Sequence, residues 1–286
     1  MTTVNRYSLK CVENGNGEPL VLVHGSASDY RTWQAQLEAF SKHFHTLAYS
    51  RRHHWPNQPI SDGADYAMAE HVRDLEALIR APAIGPVHLV GHSYGAFVCL
   101  LVAIQSPQLV RSLVLAEPPV ITLFVSNSPK PSELLKLLVS RPRAAAAILK
   151  FGAMGIAPAT AAARRGDMEE TLRLFGTAAL GKDAFNSFSA ARLEQSRANL
   201  IKAELLGTGF PPLDIDALRK LNIPALLVSG EASPRLYYYL LERLQELLPN
   251  NERVEIPGAA HIMHEDNAPA YNQAVLSFVA RHRGAV

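Results

Sequence analysis

The sequence has few cysteines and no segment typical of a leader or a membrane span. Cys11 and Cys99 are its two cysteines. Neither lies in a CxxC or Cys/His pattern, so we expect neither a disulfide framework nor a zinc site. The N-terminus lacks an apolar core, and no uninterrupted run of about 18 apolar residues occurs. We therefore expect reduced thiols, a cytoplasmic location and no membrane partner.

An excess of charge of one sign is also missing. The 28 Lys and Arg residues nearly balance the 26 Asp and Glu residues, and both signs are interspersed. Such a chain has no long-range field that would attract nucleic acid, so we expect a small-molecule partner and no nucleic acid. Apolar residues make up 48% of the 286 residues. That content can build one large α/β domain or two modest ones without a metal or a disulfide.

One stretch has the pattern of a nucleophile elbow. A short apolar run over residues 87–90 leads into the pentad Gly91-His92-Ser93-Tyr94-Gly95, and a helix-length apolar stretch follows. This strand, turn and helix context makes Ser93 the candidate nucleophile. A serine at the tip of a sharp turn needs neighbours without a Cβ, so that strand and helix can approach closely.

Apolar strands alternate with helical patterns around this stretch. The alternation predicts an α/β fold with a mostly parallel, doubly wound sheet, whose ligands bind at the carboxyl ends of the strands. A first strand over residues 7–12 is also expected. Residues 120–213 differ, because they are rich in Ala, Leu and Arg and contain helical patterns without a convincing buried strand. We interpret 1–119 and 214–286 as the core and 120–213 as an inserted helical cap.

A serine hydroxyl is a weak nucleophile at neutral pH and needs a base that takes its proton. Histidine has a suitable pKa. His261 follows the last predicted strand, in a loop that should open at the same end of the sheet as Ser93. His264 lies three residues later and is the reserve candidate.

Three motifs now resemble those of the α/β-hydrolase family, over nearly the whole chain. His24-Gly25-Ser26 with Trp33 is similar to its oxyanion loop, residues 91–95 to its elbow, and residues 257–261 to its histidine loop. The resemblance implies an oxyanion hole formed by the backbone N–H groups of Ser26 and Tyr94. The candidate substrate-binding residues are Gly25, His92 and Trp55. For His92 and the Tyr94 side chain, simple packing is the alternative.

The sequence departs from the family pattern at the acid of the triad. Most relatives have an aspartate at the position of Ser233, where this chain has no carboxylate. Glu117 and Glu231 remain as candidates. Glu117 ends the strand after the elbow helix, where haloalkane dehalogenases and the zearalenone-lactonase type place their acid. We favour Glu117, because a strand end followed by Pro118-Pro119 fixes a side chain better than a loop does.

A run of polar and charged residues lies within the first part of the predicted core, at residues 51–55. Arg51, Arg52, His53, His54 and Trp55 occupy a predicted loop at the rim of the site. We interpret this run as solvated charged surface. The alternative is recognition of an anionic or aromatic part of the substrate.

The resemblance implies a serine hydrolase that cleaves a small carboxylic ester or lactone, without cofactor or metal. The serine nucleophile argues against the dehalogenase and epoxide-hydrolase branches, which use aspartate. Two alternatives stay open. The same triad could hydrolyse a carbon–carbon bond or transfer an acyl group. The absence of an aspartate at Ser233 favours a non-catalytic small-molecule binding protein. The sequence leaves a homodimer open.

Overall fold

The computed structural model describes residues 1–61, 63–81 and 85–284, and its centre is a seven-stranded sheet. The strands are β1 (Thr2–Val4), β2 (Tyr7–Leu9), β3 (Cys11–Asn14), β4 (Pro19–Val23), β5 (His45–Tyr49), β6 (Val87–His92), β7 (Val110–Ala116), β8 (Ala225–Gly230) and β9 (Asn251–Ile256). The order in the seven-stranded sheet is β3-β5-β4-β6-β7-β8-β9; β3 is antiparallel to β5, and the other neighbours are parallel. β1 and β2 form a separate antiparallel pair.

Helices connect the strands and fill the long segment between β7 and β8. The core helices are α1 (Gln34–Phe40), α2 (Met68–Arg80) and α3 (Tyr94–Gln105). Between β7 and β8 lie α4 (Pro131–Ser140), α5 (Pro142–Phe151), α6 (Ala157–Arg164), α7 (Met168–Leu180), α8 (Lys182–Asn186), α9 (Ala190–Asn199), α10 (Lys202–Leu206) and α11 (Ile215–Lys220). The chain ends with α12 (Arg235–Leu247), α13 (Met263–Asp266) and α14 (Ala268–Arg281).

Both faces of the sheet are covered, which explains why its central strands are continuously apolar. On one face, side chains of α2, α3 and α12 such as Leu75, Phe97 and Leu240 join the buried cluster. On the other face, α1 and α14 contribute Phe40 and Phe278. The mostly parallel, doubly wound α/β sheet predicted from the sequence is confirmed.

The N-terminal elements differ from the expectation of one strand over residues 7–12. Lys10 separates two short strands, of which β2 pairs with β1 and β3 pairs with β5. β3 also continues two residues past the expected end, to Asn14. The pattern was too short and too irregular to show that two sheets share this segment.

One helix is longer and more apolar than the sequence suggested. A π-turn at Gly152–Ile156 joins α5 and α6 into a continuous helix, Pro142–Arg164. Its most apolar 18-residue window has a mean hydropathy of 1.4 and is 28% buried. By length and composition alone it could cross a membrane, which is weak evidence, because core helices pass the same test. A search for uninterrupted apolar runs missed it, since polar residues interrupt the run.

Candidate active site

Ser93 lies at the tip of a strained turn between β6 and α3. Its backbone has φ 50° and ψ −120°, a conformation that side-chain-bearing residues rarely adopt. A Cβ on Gly91 would lie 2.5 Å from the Ala96 Cα, and one on Gly95 would lie 2.2 Å from the Val23 carbonyl oxygen. Both glycines therefore let strand and helix approach closely, as the pentad predicts.

His261 and Glu117 meet beside this turn. The His261 Nδ1 lies 2.6 Å from the Glu117 Oε2, and both side chains are buried. The Gly230 N–H donates to the Glu117 Oε1 over 3.0 Å. Glu117 follows β7 directly, with φ 45°, and its own N–H donates to the Val228 carbonyl. The backbone of two neighbouring strands thus fixes this carboxyl group.

Glu231 and His264, the other candidates from the sequence, make no hydrogen bond to this pair within the described residues. Glu231 is exposed, and its carboxylate accepts a hydrogen bond from the Gly258 N–H over 2.7 Å. Asp266 accepts one from the Ala260 N–H over 2.9 Å. Both carboxylates therefore hold the backbone of the histidine loop. The His264 Nε2 lies 2.8 Å from the Thr32 hydroxyl, so the reserve histidine is engaged elsewhere.

Two aromatic rings hold the His261 imidazole. The Tyr237 ring stacks on it with a centroid distance of 4.1 Å and an angle of 14°. His92 lies on another side, and its Nε2 is 2.8 Å from the His261 carbonyl oxygen. The carbonyl requires a donor, so His92 carries its proton on Nε2. No sequence motif marks Tyr237 for this contact.

Burial sets the protonation of the pair. It lowers the pKa of His261 to about 3, so the resting imidazole is neutral at neutral pH. Burial also raises the pKa of the Glu117 carboxyl well above its usual value. The nearby Ser233 hydroxyl and the Gly230 N–H oppose that rise, although Ser233 lies outside hydrogen-bond geometry. Burial thus disfavours charge here, and the 2.6 Å contact lets the two groups share a proton.

A buried carboxyl group contacts the predicted oxyanion loop. The Ser26 hydroxyl donates to the Glu204 Oε1, which belongs to α10. The carboxyl end of Glu204 is enclosed, whereas the residue as a whole is partly exposed. Burial raises the pKa of Glu204, and the charge of Arg51 opposes the rise. The helical segment between β7 and β8 is therefore tied to the loop that follows β4.

Arg51 and His54 contradict the interpretation of the polar run as solvated surface. Arg51 is fully buried and donates to the carbonyls of His24 and Gly25 and to the Tyr66 hydroxyl. His54 is also fully buried, and its Nε2 lies 2.7 Å from the same hydroxyl. Arg51 thus holds the backbone of the predicted oxyanion loop. A charge pattern alone cannot reveal which cations are buried by their partners.

The other residues of this run pair outside the pocket. Arg52 binds the Asp74 carboxylate, and the His53 ring lies against Tyr7. Trp55 is 40% exposed and stacks on Arg31. None of these three side chains lines the pocket that contains Ser93. The expectation that Trp55 binds substrate therefore has no support in the geometry.

A narrow cavity of about 40 Å³ lies over Ser93 and His261. Its floor comes from the core and includes Ser26, Ser28 and His92, and its roof comes from α7, α8 and α9. Gly25 is not a lining residue, but a Cβ on it would lie 3.1 Å from the Ser93 Cβ and 2.8 Å from the His92 Nδ1. Its lack of a side chain keeps that space open. The apolar roof residues are Leu172, Phe175, Gly176, Ala179, Leu180, Phe185 and Phe188.

The roof also contains the polar side chains of Arg192 and Ser196 from α9. Sequence reasoning missed both residues, as it missed Glu204. No motif signals them, because their place depends on how α7 to α10 fold back over the sheet. Within the part of the chain that the structure describes, no group of three His, Cys, Asp or Glu side chains is placed to hold a metal ion.

Comparison with solved structures places this fold among α/β hydrolases. An esterase from Thermogutta terrifontis matches with a TM-score of 0.71 at 22% identity, over 96% of this chain and 94% of that chain. MGS-M2, an alpha/beta hydrolase enzyme from a deep-sea metagenome library, matches with a TM-score of 0.75 at 20% identity, over 100% and 98% of the two chains. At these identities the likeness shows the fold alone.

Sequence comparison adds the family. The model of the alpha/beta hydrolase family matches residues 20–274, and this chain belongs to that family and to the hydrolase class of enzymes. The chain is 27% identical to 2-(acetamidomethylene)succinate hydrolase of Mesorhizobium japonicum, over 96% of its own length and 93% of the relative's. It is 35% identical to (E)-2-((N-methylformamido)methylene)succinate hydrolase of Acinetobacter baylyi over 109 residues, which span 38% of this chain and 41% of that relative.

Proposed function

We propose that this chain is a serine hydrolase that cleaves a small carboxylic ester or lactone through an acyl-enzyme on Ser93. The observation that carries the proposal is the 2.6 Å contact between Glu117 and His261, next to a cavity that both Ser93 and His261 line. The same contact removes the argument for a non-catalytic binding protein, which rested on the absence of an aspartate at Ser233. A buried carboxylate reaches the imidazole from another strand.

In the first half-reaction, the Ser93 Oγ attacks the carbonyl carbon and the His261 Nε2 takes its proton. Glu117 accepts the Nδ1–H of His261, which holds the tautomer and stabilises the imidazolium. The backbone N–H groups of Ser26 and Tyr94 stabilise the developing oxyanion. His261 then gives the proton to the leaving alkoxide. In the second half-reaction a water attacks the acyl-enzyme, and the same groups return Ser93 to its free form.

The roof favours a compact acyl or ring group. Its side chains are mostly apolar, and the cavity of about 40 Å³ has room for only a few water molecules. Small ester groups fit this space better than long acyl chains do. The aspartate-based chemistry of epoxide hydrolases does not apply, because a serine occupies the elbow.

The triad predicts a specific order of losses. We expect Ser93→Ala, His261→Ala and Glu117→Gln to lower kcat for 4-nitrophenyl acetate by about 10³-fold or more, since each removes a member of one catalytic unit. Glu231→Gln is the matched control, because it removes another carboxylate next to the histidine loop, and it should retain most activity. A fluorophosphonate probe should label Ser93, as peptide mass spectrometry would show.

Two results would contradict the proposal. Retention of most activity by Ser93→Ala or His261→Ala would exclude the acyl-enzyme mechanism. A larger loss in Glu231→Gln than in Glu117→Gln would move the acid to the loop after β8. Circular dichroism of each variant establishes that a loss of activity is not a loss of fold.

A second candidate is hydrolysis of a bond other than a carboxylic ester. It is supported by the relative aligned over 96% of the chain, whose name is 2-(acetamidomethylene)succinate hydrolase; that compound contains an amide and no ester. The same serine, histidine and carboxylate would serve. Incubation of the enzyme with that compound and with a matched small ester, followed by mass spectrometry of the products, distinguishes the two candidates.

A further inference from the structure

The roof of the cavity contains a guanidinium group whose hydrogen-bonding capacity is largely unused. Arg192 lines the cavity together with Ser93 and His261, and its side chain is 13% exposed. Its Nε and Nη1 atoms are buried, and neither has a hydrogen-bond partner among the described residues. Buried guanidinium donors without partners are costly, so they are normally satisfied by a carboxylate or a phosphate.

One carboxylate lies near Arg192 but does not satisfy it. The Glu265 Oε2 is 3.2 Å from the Nε, without hydrogen-bond geometry, and the Glu265 Oε1 accepts from the Thr32 hydroxyl. Glu265 thus balances part of the charge while it is held by another group. The Nη1 has no protein acceptor within the described ranges.

Arg192 is also the one formally charged side chain among the residues that line the cavity in the described chain. Its positive charge lowers the pKa values of His92 and His264, after the larger effect of their burial. The charge of Arg192 therefore acts on His92, which lines the cavity beside Ser93. The remaining roof is mostly apolar, which strengthens an interaction with an anion by excluding water.

From these contacts we propose that the substrate bears a carboxylate, which Arg192 binds through its unused donors while Ser93 attacks the ester or lactone carbonyl. This inference rests on the proposed function and narrows its substrate class to compact esters of carboxylate-bearing molecules. The apolar roof then surrounds the carbon skeleton between the two groups. Arg192 is a specificity-determining residue in this scheme and takes no part in proton transfer.

Matched pairs of esters test the inference. Monoethyl succinate is compared with ethyl 4-methylpentanoate, which replaces the acyl-side carboxylate by a neutral group of similar shape. Acetoxyacetate is compared with isobutyl acetate in the same way for the alcohol side. The wild type should prefer the anion in at least one pair by about 10- to 100-fold in kcat/KM, the usual range for hydrogen bonds to a charged group. In Arg192→Gln that preference should disappear, mainly through KM.

Two further variants sharpen the test. Arg197→Gln is the matched control, because Arg197 lies on the same helix and pairs with Glu169 at the surface; it should keep the preference. Glu265→Gln removes the competing carboxylate and should lower KM for the preferred anion. Equal kcat/KM values within both pairs for the wild type would overturn the inference, as would a preference that Arg192→Gln leaves unchanged.

A binding measurement separates this inference from the proposed function. Titration calorimetry of Ser93→Ala with the two anionic esters needs no turnover. Binding that is lost in Ser93→Ala/Arg192→Gln supports the role of Arg192 even if the bond that is cleaved is not an ester. Absence of binding by Ser93→Ala overturns the inference and leaves hydrolysis of neutral esters to be judged on its own assay.

Discussion

At the scale of single residues, the environment of His261 determines how the site responds to pH. Its imidazole contacts Glu117 at Nδ1 and lies against Tyr237. Burial lowers the pKa of this group to about 3. In the proposed mechanism His261 must be neutral to accept the Ser93 proton, so a lower pKa of His261 keeps the enzyme active at more acidic pH.

We therefore predict that the acid limb of the profile of kcat/KM against pH lies below the ordinary histidine value of about 6.5. Activity on a neutral ester should stay constant as the pH falls from 8 to 6. Initial rates in buffers of constant ionic strength measure this limb. A limb centred above 6.5 would show that the resting imidazole is stabilised in its charged form, contrary to the effect of burial.

The sequence predicted which candidate residues the structure brings together better than it predicted their surroundings. Ser93, His261 and Glu117 lie on turns that follow predicted strands, and the parallel sheet brings such turns to one edge. Arg51, Arg192 and Glu204 were misread or missed. Their contacts join segments that are at least 15 residues apart, and no local periodicity records those contacts.

At the scale of elements, the crossing of α3 over β4 positions Ser93. A Cβ on Gly95 would lie 2.2 Å from the Val23 carbonyl oxygen and 2.5 Å from that of His24. Both neighbours are backbone atoms of a central strand and the turn after it, so they cannot move aside at low cost. The approach of helix to strand therefore depends on the missing side chain.

Gly95→Ala should lower the free energy of unfolding by about 3 kcal/mol, because the clash must displace backbone. Gly152→Ala is the control. Gly152 is helical, and a Cβ there meets nothing within 4 Å, so this change should stabilise the protein by about 0.5–1 kcal/mol. Urea unfolding followed by circular dichroism measures both values. Equal effects of the two substitutions would contradict the packing argument.

The sequence predicted most strands and core helices within a few residues, because buried strands and amphipathic helices have strong periodic patterns. It was less successful between β7 and β8. There residues 182–206 form three short helices, α8, α9 and α10, whose ends the helical patterns do not mark. The breaks at Gly181, Ser189 and Ile201 turn the chain so that Arg192 and Glu204 face the core, and a composition rich in Ala and Leu does not reveal such turns.

At the scale of the whole molecule, buried neutral histidines link stability to pH. Burial is the largest cause of a lowered pKa at each of them. In acid the unfolded chain takes up protons near pH 6.5, whereas the folded chain excludes them, so stability falls as the pH decreases below that value. These histidines are His24, His54, His71, His88, His92, His261 and His264.

We predict that the free energy of unfolding falls by at least about 3 kcal/mol between pH 6.5 and pH 5, since each fully excluded proton contributes about 1.4 kcal/mol per pH unit. Three carboxyl groups with raised pKa values, Glu117, Glu204 and Asp266, act in the opposite direction. They are fewer, and the net loss should remain. Urea unfolding at four pH values measures it, and stability that is constant or rises toward pH 5 would contradict the linkage.

The position of Glu117 after β7 bears on how the triad acid can change its strand during evolution of the family. Ser233, on the loop after β8, lies close enough to the Glu117 carboxyl to lower its pKa. It occupies the position at which the resemblance to the α/β-hydrolase family places an aspartate. Positions 117 and 233 thus follow neighbouring strands, β7 and β8, and lie close to each other. Under the proposed mechanism, two substitutions can transfer the triad acid from one strand to the next, and the histidine need not move.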